Sequence, residues 1–424
     1  MTNNPVTILV IGNGFDLSLK LPTSYGDFLK FADYMRYYSS EGHTYDVEKN
    51  RSFQVDKRIG QLIDQYSGKV ADNLSSRRAE IGEACQNNFW IEYFIKKQTE
   101  LNSKGRNRWV DFETEITRII AVLENDLLNS EEGYEGELNT YNNEEIDEFF
   151  DEHEEIRHDT FSDIHDRLLT DLNKLTWLLG FYLCLFVENI KDVAPDPIVS
   201  MVPNVIKEIV ERAEDLRVIN FNYTHSIANY LRSIGKPVEI DYIHGYADAF
   251  VPVGTGNMIL GASLDGGDKT SVDFIDFRKY FQRILKGTDH KYMDWVEEIN
   301  RRALKQAEVA KRNQKLVDDS GGEKANILEL ARNDKSGHFY TRMPEPNHVY
   351  FFGHSMDETD GDVIKRLVLA ENTATTVYCY AESEHDHKDM AQKIKNMQKI
   401  IGRDELIRRT GSSLRAGIEF VNLY

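Results

Sequence analysis

Val6-Thr7-Ile8-Leu9-Val10-Ile11, followed at once by Gly12-Asn13-Gly14, is the stretch on which the fold turns. The run is apolar, rich in β-branched residues and ends at a glycine, the pattern of a strand buried on both faces, and such strands belong to parallel sheets. Working outward, Leu216 to Phe221 reads as a second strand, 225–234 as a helix and Val238 to Ile243 as a third strand, a βαβ unit in miniature. His348 to Phe352, a helix near 360–371 and Thr376 to Ala381 repeat the alternation. The segments 25–38, 45–67, 77–99, 109–127 and 160–192 carry spaced apolar positions and good helix formers, and a helical hairpin is predicted around 293–316.

The predicted architecture is therefore an α/β parallel sheet, Rossmann-like, with large helical insertions. Residues 1–24 supply its first strand and loop, 25–215 a mainly helical insertion, 216–264 more of the sheet, 265–345 a second helical insertion and 346–424 the last part of the sheet. Trp177 to Val187, the longest apolar stretch, has eleven residues, short of the ~20 that span a bilayer, and reads as a core helix.

With 41% hydrophobic residues and 424 positions, the chain has the material for a sizeable core. Its net charge of −20 opposes loose binding to nucleic acid or to an anionic membrane. Twelve Asp or Glu and no Lys or Arg fall within 131–155, which reads as a solvated, mobile insertion, while 278–342 carries fifteen Lys or Arg against ten Asp or Glu. Cys85, Cys184 and Cys379 are too scattered for a disulfide framework or a zinc module, and Met1 to Pro5 opens no signal peptide, so a cytoplasmic protein with buried thiols is expected.

Four places could carry chemistry. Gly12-Asn13-Gly14 lets the backbone turn sharply and bring N–H groups to a phosphate, although Leu17 holds the place of the third glycine of the dinucleotide fingerprint and a tight turn without a ligand explains the pair equally well. Asn222, in Asn220-Phe221-Asn222-Tyr223-Thr224, sits at a strand's carboxyl end, where it either grips a ribose hydroxyl or a water, or caps the next helix. His244-Gly245 lies twenty-two residues on, at the end of the adjacent strand, placed for general-base work or as a satisfied structural group. Gly353-His354-Ser355-Met356-Asp357, with Asp360 beyond, offers donors to a phosphate or merely a helix cap. Glu384-His385-Asp386-His387 looks metal-like but reads as a solvated acidic loop, and Trp109 to Glu113 as a helix start explained by packing and capping.

Together, Gly12-Asn13-Gly14-Phe15-Asp16-Leu17, Leu21-Pro22-Thr23-Ser24-Tyr25 with Phe28, Asn220 to Thr224, Tyr242-Ile243-His244-Gly245 and Gly353 to Asp357 resemble the bacteriophage abortive infection AbiH family, with Trp109 and Glu113 between them. Lys20 departs from the family, which usually has Gly before Leu-Pro-Thr. A more distant likeness is to sirtuins, whose G-A-G loop, strand-end Asn, H-G pair and late G-T-S come in the same order as Gly12 and Gly14, Asn222, His244-Gly245, and Gly353 with Ser355. Asp16 stands for the sirtuin Ser, Thr224 for the sirtuin Asp, and the four-cysteine zinc module is lacking, so protein deacylation is not implied.

The resemblance implies a sirtuin-like nucleotide-binding enzyme of antiphage defence that cleaves the nicotinamide glycosidic bond of NAD. Asn222 and His244 would be catalytic; Gly12, Asn13, Gly14, Phe15, Asp16, Thr23, Gly353, His354, Ser355 and Asp357 would hold the nucleotide, with no metal. Its partners would be the nucleotide, a phage-derived trigger and further copies of the chain, with neither membrane nor nucleic acid. Two other readings stay open: a nucleotide sensor or scaffold without turnover, and a nuclease using Asp16, Asp357 and Asp360 with Mg²⁺.

Overall fold

The computed structural model describes residues 4–41, 55–67, 77–103, 110–129, 133–135, 159–190, 198–262, 272–333, 339–411 and 416–424. Its centre is a six-stranded parallel sheet of β1 (Val6–Ile11), β2 (Asp215–Asn220), β3 (Glu239–Tyr242), β4 (Asn347–Phe352), β5 (Thr373–Tyr380) and β6 (Ile418–Leu423), ordered β3-β2-β1-β4-β5-β6. The chain builds outward from β1 in one direction and then, from β4, in the other, so the direction of winding reverses between β1 and β4.

Every residue of β1 is buried, which is why its sequence lacks polar alternation. Leu9 and Ile11 face one core, with Phe28, Phe31, Phe112, Leu179 and Tyr182 of the helical insertion. Ile8 and Val10 face the other, with Trp295, Ile299, Val363, Ile364 and Met397. The registers Ile11 with Asn220, Ile11 with Phe352 and Asn220 with Tyr242 bring the carboxyl ends of β1 to β4 side by side. Whatever leaves those four strands therefore meets at one edge.

The helices differ from the sequence expectation in detail. Segment 77–99 is two helices, Arg78–Cys85 and Phe89–Ser103, because Asn87 takes a left-handed φ of 53° and the Asn88 side chain accepts from the Ile91 N–H to start the second. Segment 45–67 is helical from Lys57 on, with 45–54 outside the described residues. In place of a hairpin at 293–316 runs one helix, Lys291–Asp319, whose return arm Lys324–Asn333 comes after Gly321 and Gly322, both left-handed. Helix Phe161–Phe181 opens with a capping box on Thr160 and Asp163 and widens into a π turn at Tyr182–Val187. The edge strand β6 escaped the sequence reading: Glu419 and Asn422 interrupt a half-exposed run.

Cys85 and Cys379 are buried and all three thiols are free. Among the described residues no helix is long and apolar enough to cross a membrane. The acidic stretch 131–155 lies outside the described residues apart from 133–135, and Trp109 lies outside them too.

Candidate functional site

The turns after β1 and β4 interlock. The Gly12 N–H donates to the Phe352 carbonyl at 3.0 Å and the Gly14 N–H to the Gly353 carbonyl at 2.8 Å. A Cβ on Gly14 would lie 2.6 Å from the Gly353 Cα, and one on Gly353, whose φ is +70°, would lie 2.4 Å from the Phe15 N. These glycines therefore serve the approach of two backbones to each other. Of the two sequence readings of this pair, the tight turn is the one whose hydrogen bonds are present, since the Gly12 and Gly14 N–H groups are taken up by carbonyls. Phe15 is fully buried against Phe352, ring centroids 6.2 Å apart, and belongs to the core. Asn13 and Thr23 hold each other, the hydroxyl donating to the amide oxygen at 2.6 Å. Lys20 adopts a left-handed φ of 56°, a conformation that favours glycine.

Asp16 is buried beneath the β2 turn. Its carboxylate accepts from the Thr224 hydroxyl at 2.6 Å and from the Ser226 hydroxyl. Burial pushes its pKa up to about 6, against the pull of the Ser226 and Thr224 hydrogen bonds. Asp16 thereby fixes the loop that presents Asn222. The Asn222 amide donates to the Gly12 carbonyl at 3.1 Å and its own N–H is held by the Asn220 side chain at 3.1 Å, so the β1 and β2 turns are tied and the Asn222 side chain lines the space between them.

The polar centre forms around Asp360, at the end of a short turn after β4. Its Oδ1 lies 2.9 Å from His244 Nε2 and its Oδ2 3.3 Å from His354 Nε2. Lys279 Nζ sits 3.7 Å from the same Oδ1 and 2.6 Å from Glu113 Oε2. Burial pushes the Asp360 carboxyl up, but Lys279, His244 and the two histidine hydrogen bonds outweigh it and hold it well below the usual carboxylate range. Burial raises Glu113 in spite of Lys279 and His244, and Lys279 is raised because Glu113 and Asp360 overcome its own desolvation.

Those states assign the tautomers. His354 Nδ1 accepts the Met356 N–H at 2.9 Å, so its Nε2 carries the proton given to Asp360. An ionised Asp360 only accepts, so His244 likewise carries its proton on Nε2. His244 is also one of the residues that line the cavity. Nucleophile-activating histidines share this arrangement: a carboxylate fixes one nitrogen and the other takes a proton.

The cavity measures about 370 Å³ and opens beyond β1, β2, β3 and β4. Of the residues singled out from sequence, Gly12, Asn13, Asp16, Thr23, Asn222, His244, Gly353, His354 and Ser355 line it. Gly14 and Phe15 sit behind it, and Asp357 is an exposed cap whose carboxylate accepts from the Thr359 N–H at 3.1 Å. Tyr25, Phe221, Tyr223, Leu179 and Leu183 give it apolar walls; Tyr25 is braced by Phe112 at 4.2 Å. Asp16 and Asp360 line the cavity while Asp357 caps the turn outside it, and among the described residues no group of three or more His, Cys, Asp or Glu is arranged to hold a metal ion.

Glu113 and Lys279 were missed as site residues. Asp111 does cap the helix Phe112–Asn129, accepting from the Thr114 N–H at 2.9 Å, so capping explained the motif while hiding the carboxylate two residues on. Lys279 opens the helix Lys279–Lys286 in the second insertion, with no motif around it. A carboxylate a few residues past the His354 turn was the one available sign of Asp360. No curated protein and no solved structure matches the chain. Residues 8–380 of its 424 match the family described as bacteriophage abortive infection AbiH, and the chain belongs to that family.

Proposed function

We propose that this AbiH protein acts in abortive defence against phage by hydrolysing the bond between ribose and nicotinamide in NAD, on a Rossmann-like, sirtuin-like sheet. The observation that carries the reading is the Asp360–His244 pair, 2.9 Å apart, in the wall of the cavity. Two features support it. The strand order is that of dinucleotide-binding sheets, which take their ligand where the winding reverses, here between β1 and β4. Among the described residues the lining carries Asp16, Asp111, Glu113 and Asp360 and no arginine, which favours a cationic group such as the nicotinamide pyridinium.

In this mechanism the ribose C1′–N bond breaks and its electron pair goes to the pyridinium nitrogen, releasing neutral nicotinamide without a general acid. Water adds to C1′ and its proton passes to His244 Nδ1. Asn222 orients the ribose or that water, while the carboxylates stabilise the oxocarbenium-like centre. Ser355, exposed at the rim, is offered to the pyrophosphate, since Gly12 and Gly14 are engaged and Asn13 is held by Thr23. The reading includes a cytoplasmic location, a phage-derived trigger, self-association, and the division into α/β segments 1–24, 216–264 and 346–424 separated by the two insertions.

The test measures NAD and free nicotinamide in phage-infected cells and with purified protein. Wild type should release nicotinamide, and His244→Ala or Asp360→Asn should lower the rate by about 10²- to 10⁴-fold while the protein stays folded. If NAD holds steady on infection yet NAD still raises the melting temperature, the protein is a sensor and the hydrolytic reading fails.

A further inference from the structure

We infer that Lys279 is a positioning residue that sets the proton affinity of His244 through Asp360, so that the second helical insertion governs the base of the site. The inference rests on the proposed role of His244 for its functional meaning but not for its test. Lys279 is anchored as few lysines are. Its N–H donates to the Ala262 carbonyl at 3.0 Å, and its neighbour Arg278 is buried in an ion pair with Glu124 of the helix Phe112–Asn129. Its ammonium has no freedom to leave: only 7% of the side chain is exposed, between Glu113 at 2.6 Å and Asp360 at 3.7 Å.

The same Asp360 oxygen that meets Lys279 also meets His244, at 2.9 Å. The groups around the His244 imidazole are Asp360 and His354 from the turn after β4, Glu113 and Lys279 from the two insertions, and Tyr223 and Tyr25 on the cavity wall. Two carboxylates against one ammonium leave a single negative charge beside the His244 imidazole. Without Lys279 the imidazole would face two uncompensated carboxylates, which favour its protonated form and weaken it as an acceptor for a proton from water. Lys279 thus keeps His244 available as a base, and Glu113 opposes it.

The experiment titrates isotope-labelled histidine in the full-length chain by NMR without any nucleotide, the His244 signal being assigned by its loss in His244→Gln. Lys279→Met should raise the His244 midpoint by about one unit or more, Glu113→Gln should lower it, and the double variant should return close to wild type. Lys279→Arg should keep the wild-type midpoint. If Lys279→Met does not fold, Glu113→Gln and the double variant decide. Midpoints that stay put in the folded variants, or that move in the same direction in Lys279→Met and Glu113→Gln, overturn the inference. A shift in the predicted pattern from a protein that releases no nicotinamide would retain the inference and remove the NAD reading; nicotinamide release with flat midpoints would do the reverse.

Discussion

The wall of the cavity built by the sheet and the wall built by the insertions work by different physics. The sheet contributes turns, in which Gly12, Gly14 and Gly353 close on one another through backbone hydrogen bonds, with Asp16 and Asn222 tying the next turn to them. The insertions contribute charge: Glu113, Glu124, Arg278 and Lys279 meet across 154 to 166 positions of sequence and are buried or nearly so. Shape tolerance is smallest in the first region and electrostatic balance matters most in the second. A substitution should therefore fail for steric reasons on one wall and for uncompensated charge on the other.

The largest effect is expected at the glycine interlock. Gly14→Val or Gly353→Ala places a Cβ within 2.6 Å of backbone, with no flexible side chain to yield, and should cost more than about 5 kcal/mol or abolish folding, read by chemical denaturation. On the other wall, Arg278→Met strands the Glu124 carboxylate in the core and should cost about 3–5 kcal/mol, whereas Arg278→Met with Glu124→Leu should recover most of it. Equal losses in the single and double variants would show that Arg278 acts through packing alone.

Asp16 belongs to the first wall yet carries a charge, so it sharpens the comparison. Its pKa rises from 3.8 to about 6 on folding, so the folded state binds the extra proton between those values. The carboxyl thus stabilises at low pH, and that contribution is lost as pH rises through about 6, roughly 3 kcal/mol at ~1.4 kcal/mol per unit. Asp16→Asn, which keeps partners for the Thr224 and Ser226 hydroxyls, should flatten the stability profile between pH 4 and 6 and leave the protein at least as stable at pH 7, measured by thermal melts across pH. The smallest effect concerns Lys20. Relieving its left-handed φ of 56° by Lys20→Gly should raise stability by about 0.5–1 kcal/mol, read as a small rise in Tm.

The same division separates what could be read along the chain from what could not. Periodicity reports burial, so a strand buried on every side, β1, and the alternation after 216 and after 348 were legible as a parallel sheet. Parallel strands joined by helices align their carboxyl ends, so Asn222, His244 and the Gly353 turn could be placed at one edge before any coordinates. β6 was not legible because an edge strand tolerates Glu419 and Asn422, which erase the pattern. Nor did the sequence say that Gly12 and Gly14 meet Gly353: a glycine announces that space is short, and only the fold reveals what occupies it. Glu113 and Lys279 sit among many other charged side chains, and nothing local distinguishes a lysine that will be buried between two carboxylates from one left in water. Local sequence thus determined the sheet and where its strands end. Which charges meet beyond those ends was decided by tertiary packing, because charge pairing acts through space between residues that no short-range pattern connects.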